Sequence, residues 1–214
     1  KVTALFSAPT AFRAICKEDP EASFLGQYDL THLKRLYLAG ERLGPATYEW
    51  LREKTQLPVI DHWWQTETGW AIAGNPIGLE ALPTKSGSAG LPIPGYNVEI
   101  LDSKGNQLPA NEEGSIAIKL PLPPGCLKTI WQNPERFKMG YLNTYSGYYI
   151  TGDGGYVDED GYLYLTGRVD DMINVGGEKV FPNQIESVVK RLDGIDEAVV
   201  IGVSHDTFGE VVKL

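Results

Sequence analysis

The sequence is poor in cysteine and has no long apolar run. Cys16 and Cys126 are the two cysteines in 214 residues, and they form no CxxC pair. We therefore expect neither a disulfide framework nor a zinc site, and the two thiols favour a reducing compartment. No apolar run reaches the ~20 residues that a membrane-spanning helix needs. The expected location is the cytoplasm, or the mitochondrial matrix in a eukaryote, with no membrane partner.

Basic charge is also scarce. The chain has 19 Lys and Arg against 28 Asp and Glu, which gives a net charge of −9 at pH 7. Proteins that bind nucleic acid usually carry a basic stripe, and this sequence has none. We expect no nucleic-acid partner, and the sequence does not indicate an oligomeric state.

Several familiar motifs are missing or fail on inspection. The sequence contains no GxGxxG and no GxSxG, and its three histidines are widely scattered. The segment DEDG resembles part of a calcium loop. However, with Gly161 as the turn glycine, Tyr156 and Gly167 would occupy the first and last ligand positions. Neither can supply a side-chain ligand, so we do not expect a calcium site.

The pattern of apolar residues changes twice along the chain. Residues 1–78 alternate short apolar strands with helices that begin at Pro9 and Pro45, which predicts an α/β unit with parallel strands. Residues 79–169 contain alternating strands and turns, which predict a distorted β-barrel or a small sheet. Residues 170–214 return to a strand, a Gly-Gly turn, a helix and a strand. Both ends of the sequence read like the middle of a domain, so we expect a piece of a longer protein.

Candidate functional residues follow two of the predicted parallel strands. Gly40 and Glu41 come after one strand, and the segment WWQTETG, residues 63–69, comes after the next. Binding groups in α/β folds gather at the carboxyl ends of strands. Thr66 and Glu67 could hold Mg²⁺ together with substrate phosphates, because Mg²⁺ usually takes one or two carboxylates and phosphate oxygens. The alternative for Glu67 is a carboxylate in a surface turn.

Four further side chains have a functional and a structural interpretation. Asp153 in TGDGG could accept hydrogen bonds from both ribose hydroxyls, or could bond its own turn. Arg168 could donate to ribose or phosphate oxygens, or form an ion pair with a nearby aspartate. Trp63 and Trp64 could form a flat wall for a purine or an acyl group, or could pack in the core.

Taken in order, these motifs resemble one family closely. GE, WWQTETG and TGDGGYVDEDGYLYLTGRVDDMINVGGEKV, at these separations, resemble the AMP-forming acyl-CoA synthetases of the adenylate-forming superfamily. WWQTETG and LPLPPGCL are most similar to the short-chain branch, the acetyl- and propionyl-CoA synthetases. The resemblance covers nearly all 214 residues.

The resemblance implies a fold and a reaction. The fold is α/β plus β-barrel: the C-terminal portion of a large N-terminal domain, then the start of a small α+β lid domain at residue 170. The reaction joins a small carboxylate to AMP from ATP with release of pyrophosphate, and coenzyme A then displaces AMP. ATP, Mg²⁺, coenzyme A and a small carboxylate are the implied ligands.

The resemblance also implies roles for individual residues. Thr66 contacts phosphate, Glu67 binds Mg²⁺, and Trp64 closes the acyl pocket beside Ala39. Because acetate-specific relatives usually carry valine at the position of Ala39, the smaller residue favours propionate with acetate tolerated. The remaining implied roles are nucleotide binding by Gly40, Glu41, Trp63, Gln65, Asp153, Arg168 and Lys179, a hinge at Asp170, and coenzyme A binding at Gly176 and Gly177.

Some features depart from the short-chain pattern. Short-chain relatives usually have Gly-His-Arg where this chain has Gly177-Glu178-Lys179, and GGEKVFPNQIE resembles the medium- and long-chain branches. The family's phosphate loop is expected before Lys1 and its C-terminal lysine well after Leu214, so this chain alone should not complete adenylation. The alternatives are a medium-chain synthetase, an adenylation domain that loads a carrier protein, or a truncated nucleotide-binding module without enzyme activity.

Overall fold

A computed structural model describes residues 1–41, 43–192, 194–195 and 197–214, with the backbone alone at residues 179, 183 and 187. The α-helices are α1 (Pro9–Glu18), α2 (Pro45–Thr55), α3 (Pro134–Phe137) and α4 (Pro182–Val189). The strands are β1 (Ala4–Ser7), β2 (Arg35–Leu38), β3 (Val59–Asp61), β4 (Trp63–Trp64), β5 (Ala71–Gly74), β6 (Leu91–Pro92), β7 (Val98–Leu101), β8 (Gly114–Lys119), β9 (Tyr148–Val157), β10 (Leu163–Arg168), β11 (Ile173–Val175), β12 (Glu178–Val180), β13 (Ile201–His205) and β14 (Gly209–Lys213).

The first sheet is parallel, as the sequence predicted. Its strand order is β1-β2-β3, with α1 and α2 in the connections between consecutive strands. Proline stands at the first helical turn of both helices, where its missing N–H costs no hydrogen bond. Leu36, Leu38 and Val59 point into a core that Tyr48 and Leu51 of α2 cover. This packing fixes where β2 and β3 end, and therefore where the loops after them begin.

The middle of the chain forms two antiparallel sheets. One has the order β4-β5-β6, and the other has the order β10-β9-β8-β7. Ile100, Ile116 and Leu163 of the larger sheet pack with Ala73 and Ala89 in one core cluster. The smaller sheet continues across residue 79, where the sequence analysis placed a change of subdomain.

The sequence analysis left a distorted barrel and a small sheet open for this region, and the sheet is what the structure contains. In the described part of the chain the four strands β7–β10 do not close on themselves. The physical reason is that the outer strands β7 and β10 do not pair with each other, so the described sheet keeps two edges.

The C-terminal part contains a separate antiparallel sheet. Its order is β12-β11-β14-β13, and α4 lies between β12 and β13 in the chain. A short 3₁₀ turn, Val169–Asp171, connects it to β10. Every residue of β13 is exposed to solvent. Of the helices that the structure describes, none has the length and apolar character that a membrane crossing requires.

Candidate active site

The loops after β2 and β3 meet the end of the β9–β10 hairpin around a polar cavity of about 400 Å³. Parallel pairing of β2 with β3 brings their carboxyl ends to one edge of the sheet, so the two loops are neighbours. The predicted site residues that line this cavity are Gly40, Glu41, Trp63, Trp64, Gln65, Asp153 and Arg168. Asp61, His62, Gly87, Ala89, Leu165 and Gly167 complete the lining.

A β-bulge lets both tryptophans face this cavity. Trp63 is opposite Ala73 and Trp64 is opposite Ala71, so the register shifts by one residue between them. Neighbouring strand residues normally point to opposite faces, and a bulge re-aims one of them. Trp63 also packs against two core clusters, whereas Trp64 is 42% exposed. Both interpretations of Trp63, cavity wall and core residue, therefore hold at once.

Asp153 is a buried carboxylate held by its neighbours. It is 9% exposed, and its Oδ2 accepts a hydrogen bond from Gln65 Nε2 at 2.7 Å. The same amide nitrogen donates to the carbonyl of Thr151 at 2.7 Å. Burial raises the pKa of Asp153 above its ordinary value, although the nearby Arg168 guanidinium and the Gln65 hydrogen bond oppose this. Because its amide nitrogen already has two protein acceptors, Gln65 is better placed to orient Asp153 than to bind a ligand through that group.

Arg168 connects this carboxylate to the start of the C-terminal part. Its Nη1 lies 3.4 Å from Asp153 Oδ1 and donates to the Thr151 carbonyl at 3.1 Å, while Nη2 donates to Asp170 Oδ2 at 3.2 Å. A Cβ at Gly152 would lie 2.5 Å from Arg168 Nη2, so glycine is required for the guanidinium to lie there. The ion pair with Asp170 that the sequence analysis considered is therefore present, together with the contact to Asp153.

Thr66 and Glu67 form a 3₁₀ turn directly after Gln65. The Glu67 carbonyl accepts a hydrogen bond from Leu127 N at 2.6 Å, and its Oε1 accepts one from Tyr141 Oη at 2.8 Å. Thr66 is exposed to solvent. The turn is thus held at its middle residue, Glu67, while Thr66 before it is accessible to solvent.

Tyr141 and Tyr149 are residues of this site that the sequence analysis missed. Tyr149 Oη donates to Gln65 Oε1 at 3.2 Å. Burial raises the pKa of Tyr149, and the hydrogen bond to Glu67 raises that of Tyr141, so both hydroxyls stay protonated donors at neutral pH. No spacing could have revealed them, since they lie 74 and 84 residues from their partners in a chain with 11 tyrosines.

Glu41 is fixed by α1. Its carboxylate accepts hydrogen bonds from Thr10 N at 2.7 Å and from Arg13 Nη2 at 2.6 Å, and Thr10 Oγ1 also contacts it. Burial alone would raise the pKa of Glu41, but these hydrogen bonds lower it below the ordinary value. Glu41 is therefore an ionised wall of the cavity that also stabilises the positive end of the helix.

The described residues suit a magnesium ion in one arrangement, in which phosphate and water supply most of its ligands. Among the described residues no group of three or more His, Cys, Asp or Glu side chains could hold a metal. Glu67 with the accessible Thr66 hydroxyl suits an ion that takes most of its ligands from phosphate oxygens and water, which is the usual habit of Mg²⁺. The DEDG segment has another role, because Asp158 and Asp160 each lie 2.6 Å from Lys85 Nζ.

A second cavity of about 900 Å³ adjoins the first. Trp64 and His62 line both, and the remaining walls of the second are mainly apolar. These walls are Phe6, Tyr37, Ile60, Gly69, Trp70, Ala71, Gly74, Asn75, Pro76, Ile77, Gly78, Leu79 and Ile93. Ala39 is 3% exposed and is not part of either lining.

The predicted coenzyme A residues lie away from this cavity. Gly176 and Gly177 form the turn between β11 and β12, both with positive φ, and the Gly176 amide donates to the Phe208 carbonyl at 2.9 Å. Asp170 contacts the site through Arg168. The side chain of Lys179 lies outside the described residues, so its nucleotide contact stays a prediction.

A polar cavity at the ends of parallel strands, with an aromatic wall and a buried carboxylate, is the kind of site that α/β proteins use for nucleotides. Residues 1–127 match the family model described as AMP-binding enzyme, and the chain belongs to that family.

Two relatives are similar over almost the whole chain. It is 47% identical over 211 residues to acyl-CoA synthetase short-chain family member 3, mitochondrial, of Rattus norvegicus, covering 98% of this chain and 31% of the relative. It is 42% identical over 213 residues to propionate–CoA ligase of Escherichia coli, covering 99% and 34%. The chain therefore spans about a third of the length of these relatives.

Two solved structures are similar in fold. ATP-bound MatB from Rhodopseudomonas palustris matches with a TM-score of 0.84 and 30% identity, over 99% of this chain and 40% of that one. The anthranilate–CoA ligase AuaEII in complex with anthranoyl-AMP matches with a TM-score of 0.78 and 29% identity, over 99% and 38%.

Proposed function

We propose that this chain carries the adenylate site of an AMP-forming short-chain carboxylate–CoA ligase. A carboxylate oxygen attacks the α-phosphorus of ATP, and the bond to pyrophosphate breaks, which leaves acyl-AMP. The sulfur of coenzyme A then attacks the acyl carbonyl, AMP leaves, and the thiol proton passes to solvent. The observation that carries the proposal is the 400 Å³ cavity, which brings Trp63, Asp153 and Arg168 together beside the Thr66–Glu67 turn.

The walls of the cavity suit the base and the ribose of the nucleotide, and Thr66 and Glu67, which follow the lining residue Gln65 but are not in the lining, suit its phosphates. Trp63 and the Gly40–Glu41 loop offer surfaces for the base. Asp153 is an acceptor for the two ribose hydroxyls, and Arg168 is a donor to ribose oxygens. The exposed Thr66 hydroxyl can donate to a phosphate oxygen, and Glu67 would hold Mg²⁺, which neutralises phosphate charge when it is bound.

Trp64 suits the acyl end. It stands between the polar and the apolar cavity, so a carboxylate activated beside it can extend only a short chain before it meets the indole. The indole ring would block a longer chain sterically, and a few methylenes in such a pocket change discrimination by ~1–3 kcal/mol each. Ala39 lines neither cavity but directly precedes the lining residue Gly40, and its small size together with Trp64 favours propionate as the substrate, with acetate tolerated.

The C-terminal part takes the role of a lid in this proposal. Residues 1–78 and 79–169 belong to the large domain, and residues 170–214 begin the lid, which turns at Asp170. Gly176 and Gly177 would lie against coenzyme A in the thioester-forming state, and Lys179 would contact phosphate or coenzyme A.

The test is acid-dependent ATP–pyrophosphate exchange by the intact protein that contains this chain. Acetate, propionate, butyrate and octanoate are compared, with coenzyme A or a carrier protein as acceptor in a second assay. We expect the fastest exchange with propionate and transfer to coenzyme A. Fastest exchange with octanoate would support a medium-chain synthetase, and transfer to a carrier protein would support a carrier-loading domain. Nucleotide binding without exchange would support a binding module.

A further inference from the structure

Two tyrosine rings lie stacked beneath the loop that carries the adenylate residues. The ring centroids of Tyr141 and Tyr149 are 5.3 Å apart, and the ring planes differ by 6°. Tyr149 is fully buried in a core cluster with Ile72 and Ile118, and Tyr141 packs on that cluster. On its other side Tyr141 contacts Phe137, with centroids 5.6 Å apart. We call Tyr141 and Tyr149 the tyrosine pair.

The two hydroxyls of the tyrosine pair bind alternate residues of the segment Gln65-Thr66-Glu67. Tyr149 Oη donates to Gln65 Oε1 at 3.2 Å, and Tyr141 Oη donates to Glu67 Oε1 at 2.8 Å. Thr66, between them, makes neither contact and is exposed to solvent. The tyrosine pair thus holds the first and third residues of the segment and leaves the middle one accessible.

Each of these two hydrogen bonds acts on a different functional side chain. The bond to Gln65 Oε1 orients the amide so that Nε2 reaches Asp153 Oδ2 at 2.7 Å and the Thr151 carbonyl at 2.7 Å. The bond to Glu67 occupies Oε1 and leaves Oε2 for another partner. One tyrosine therefore acts toward the buried Asp153, and the other toward the carboxylate that suits a cation.

An unusual backbone turn positions Tyr141. It lies in a π-helical turn, Lys138–Leu142, which continues directly from α3. Single π turns are rare and occur mostly at functional sites. Tyr149 comes from β9, the strand that also carries Asp153. Strand β9 and the packed rings of the tyrosine pair therefore hold the segment 65–67 in position.

We propose that Tyr141 and Tyr149 are positioning residues with separate tasks. Tyr149 orients Gln65 and through it the ribose-binding Asp153, whereas Tyr141 orients Glu67 for the magnesium ion that accompanies ATP. The inference rests on the proposed function and adds two residues that act through others. Positioning groups of this kind contribute because a binding group held in its productive geometry loses less freedom when the ligand arrives.

The same sheet supplies a matched control. Tyr156 and Tyr164, on β9 and β10, are also stacked, with centroids 4.9 Å apart and planes that differ by 6°. Tyr156→Phe therefore removes a hydroxyl from another stacked pair, which is less buried and in which Tyr164 contacts Asp158 and not the segment 65–67.

The experiment uses the intact protein without any carboxylate, so that ATP is bound but not consumed. Calorimetry measures the affinity for AMP in chelator, for ATP in chelator and for ATP with Mg²⁺. Tyr149→Phe should weaken AMP binding about tenfold and leave the gain in ATP affinity from Mg²⁺ unchanged. Tyr141→Phe should change AMP affinity less than twofold and reduce the Mg²⁺-dependent gain about tenfold, since a hydrogen bond to a charged group is involved. Tyr156→Phe should change none of these.

A double-mutant cycle keeps the test decisive if a variant is unstable. Once Gln65→Ala has removed the amide, Tyr149→Phe should cause no further loss of AMP affinity. Thermal unfolding of each variant shows whether it is folded at the temperature of the measurement. Equal losses of AMP and Mg²⁺–ATP binding in both tyrosine variants, or losses no larger than in Tyr156→Phe, would overturn the separate tasks. If the unaltered protein binds neither nucleotide, the proposed function itself fails.

Discussion

Two neighbouring cavities share His62 and Trp64 as walls but differ in chemistry. The smaller, of about 400 Å³, also has Glu41, Asp153 and Arg168 in its lining, whereas the walls of the larger, of about 900 Å³, are mainly apolar. Burial lowers the pKa of His62, so at neutral pH the imidazole that faces both is uncharged. The uncharged imidazole of His62 and the indole of Trp64 can each line a polar or an apolar cavity.

The difference shows how contacts with the protein can hold charged side chains of a cavity in fixed orientations. In the polar cavity Glu41, Asp153 and Arg168 each have protein partners that hold them in one orientation. The apolar cavity needs no such network, because its walls contribute shape and little else. Trp64 lines both cavities, and we propose that it is the partition between them, so substitutions on either side of it should change different properties.

The largest expected effect is on the polar side. Asp153→Asn removes the charge that would accept the ribose hydroxyls, and hydrogen bonds to charged groups contribute about 1.5–3 kcal/mol each. We expect AMP affinity to fall by a factor on the order of 100, measured by calorimetry on the intact protein. Asp158→Asn is the control, because Asp158 pairs with Lys85 away from the cavity. A loss of AMP affinity equal to that of the control would contradict the role of Asp153.

The pH dependence of AMP affinity is a second test of the role proposed for Asp153. The pKa of Asp153 is raised by burial, so the folded protein holds this proton more tightly than the unfolded chain does. As the pH falls from neutral toward that pKa, Asp153 takes up a proton. The folded protein then no longer bears the free-energy cost of burying the charge. AMP affinity should weaken at the same time, because the ionised acceptor is lost. From pH 7 to pH 4, AMP affinity should therefore fall more steeply in the parent than in Asp153→Asn, because protonation of the AMP phosphate affects both proteins alike. Parallel curves would count against the assignment.

The second effect concerns the partition. Trp64→Ala should join the two cavities and let longer acids extend into the apolar one. Because one methylene in such a pocket changes discrimination by about 1–3 kcal/mol, we expect the octanoate-to-propionate ratio in pyrophosphate exchange to rise at least tenfold. Trp70→Ala is the matched control, since Trp70 lines only the apolar cavity and is 71% exposed. A similar rise in the control would mean that Trp64 is not the partition.

The sequence predicted the parts of the molecule that local pattern determines. Proline at N1, apolar strands and the order of the loops led to the parallel sheet, and strand ends led to Gly40, Glu41 and Trp63 at one cavity. Alternation after residue 79 left a distorted barrel and a small sheet open, because it indicates strands and says nothing about how many join or whether they close; the described strands β7–β10 form an open sheet.

Long-range partners could not be predicted in this way. Arg13 of α1 binds Glu41, and the tyrosine pair binds the segment 65–67, across separations of 28 to 84 residues. Tyrosine and arginine are common residues with many roles, so neither type nor spacing distinguishes these. Only packing of the sheets against the loops brings them together.

The smallest expected effect is at Ala39. Ala39 is 3% exposed, directly before Gly40, and valine there would add two methyl groups close to the end of β2. We expect Ala39→Val to shift the acetate-to-propionate ratio toward acetate by about 5- to 20-fold, within the ~1–3 kcal/mol that such pocket changes provide. Overpacking a buried alanine also destabilises, so Ala117→Val, at another fully buried alanine, controls for lost stability. If both variants lose activity equally with the two acids, Ala39 shapes the core of the sheet and not the acyl pocket.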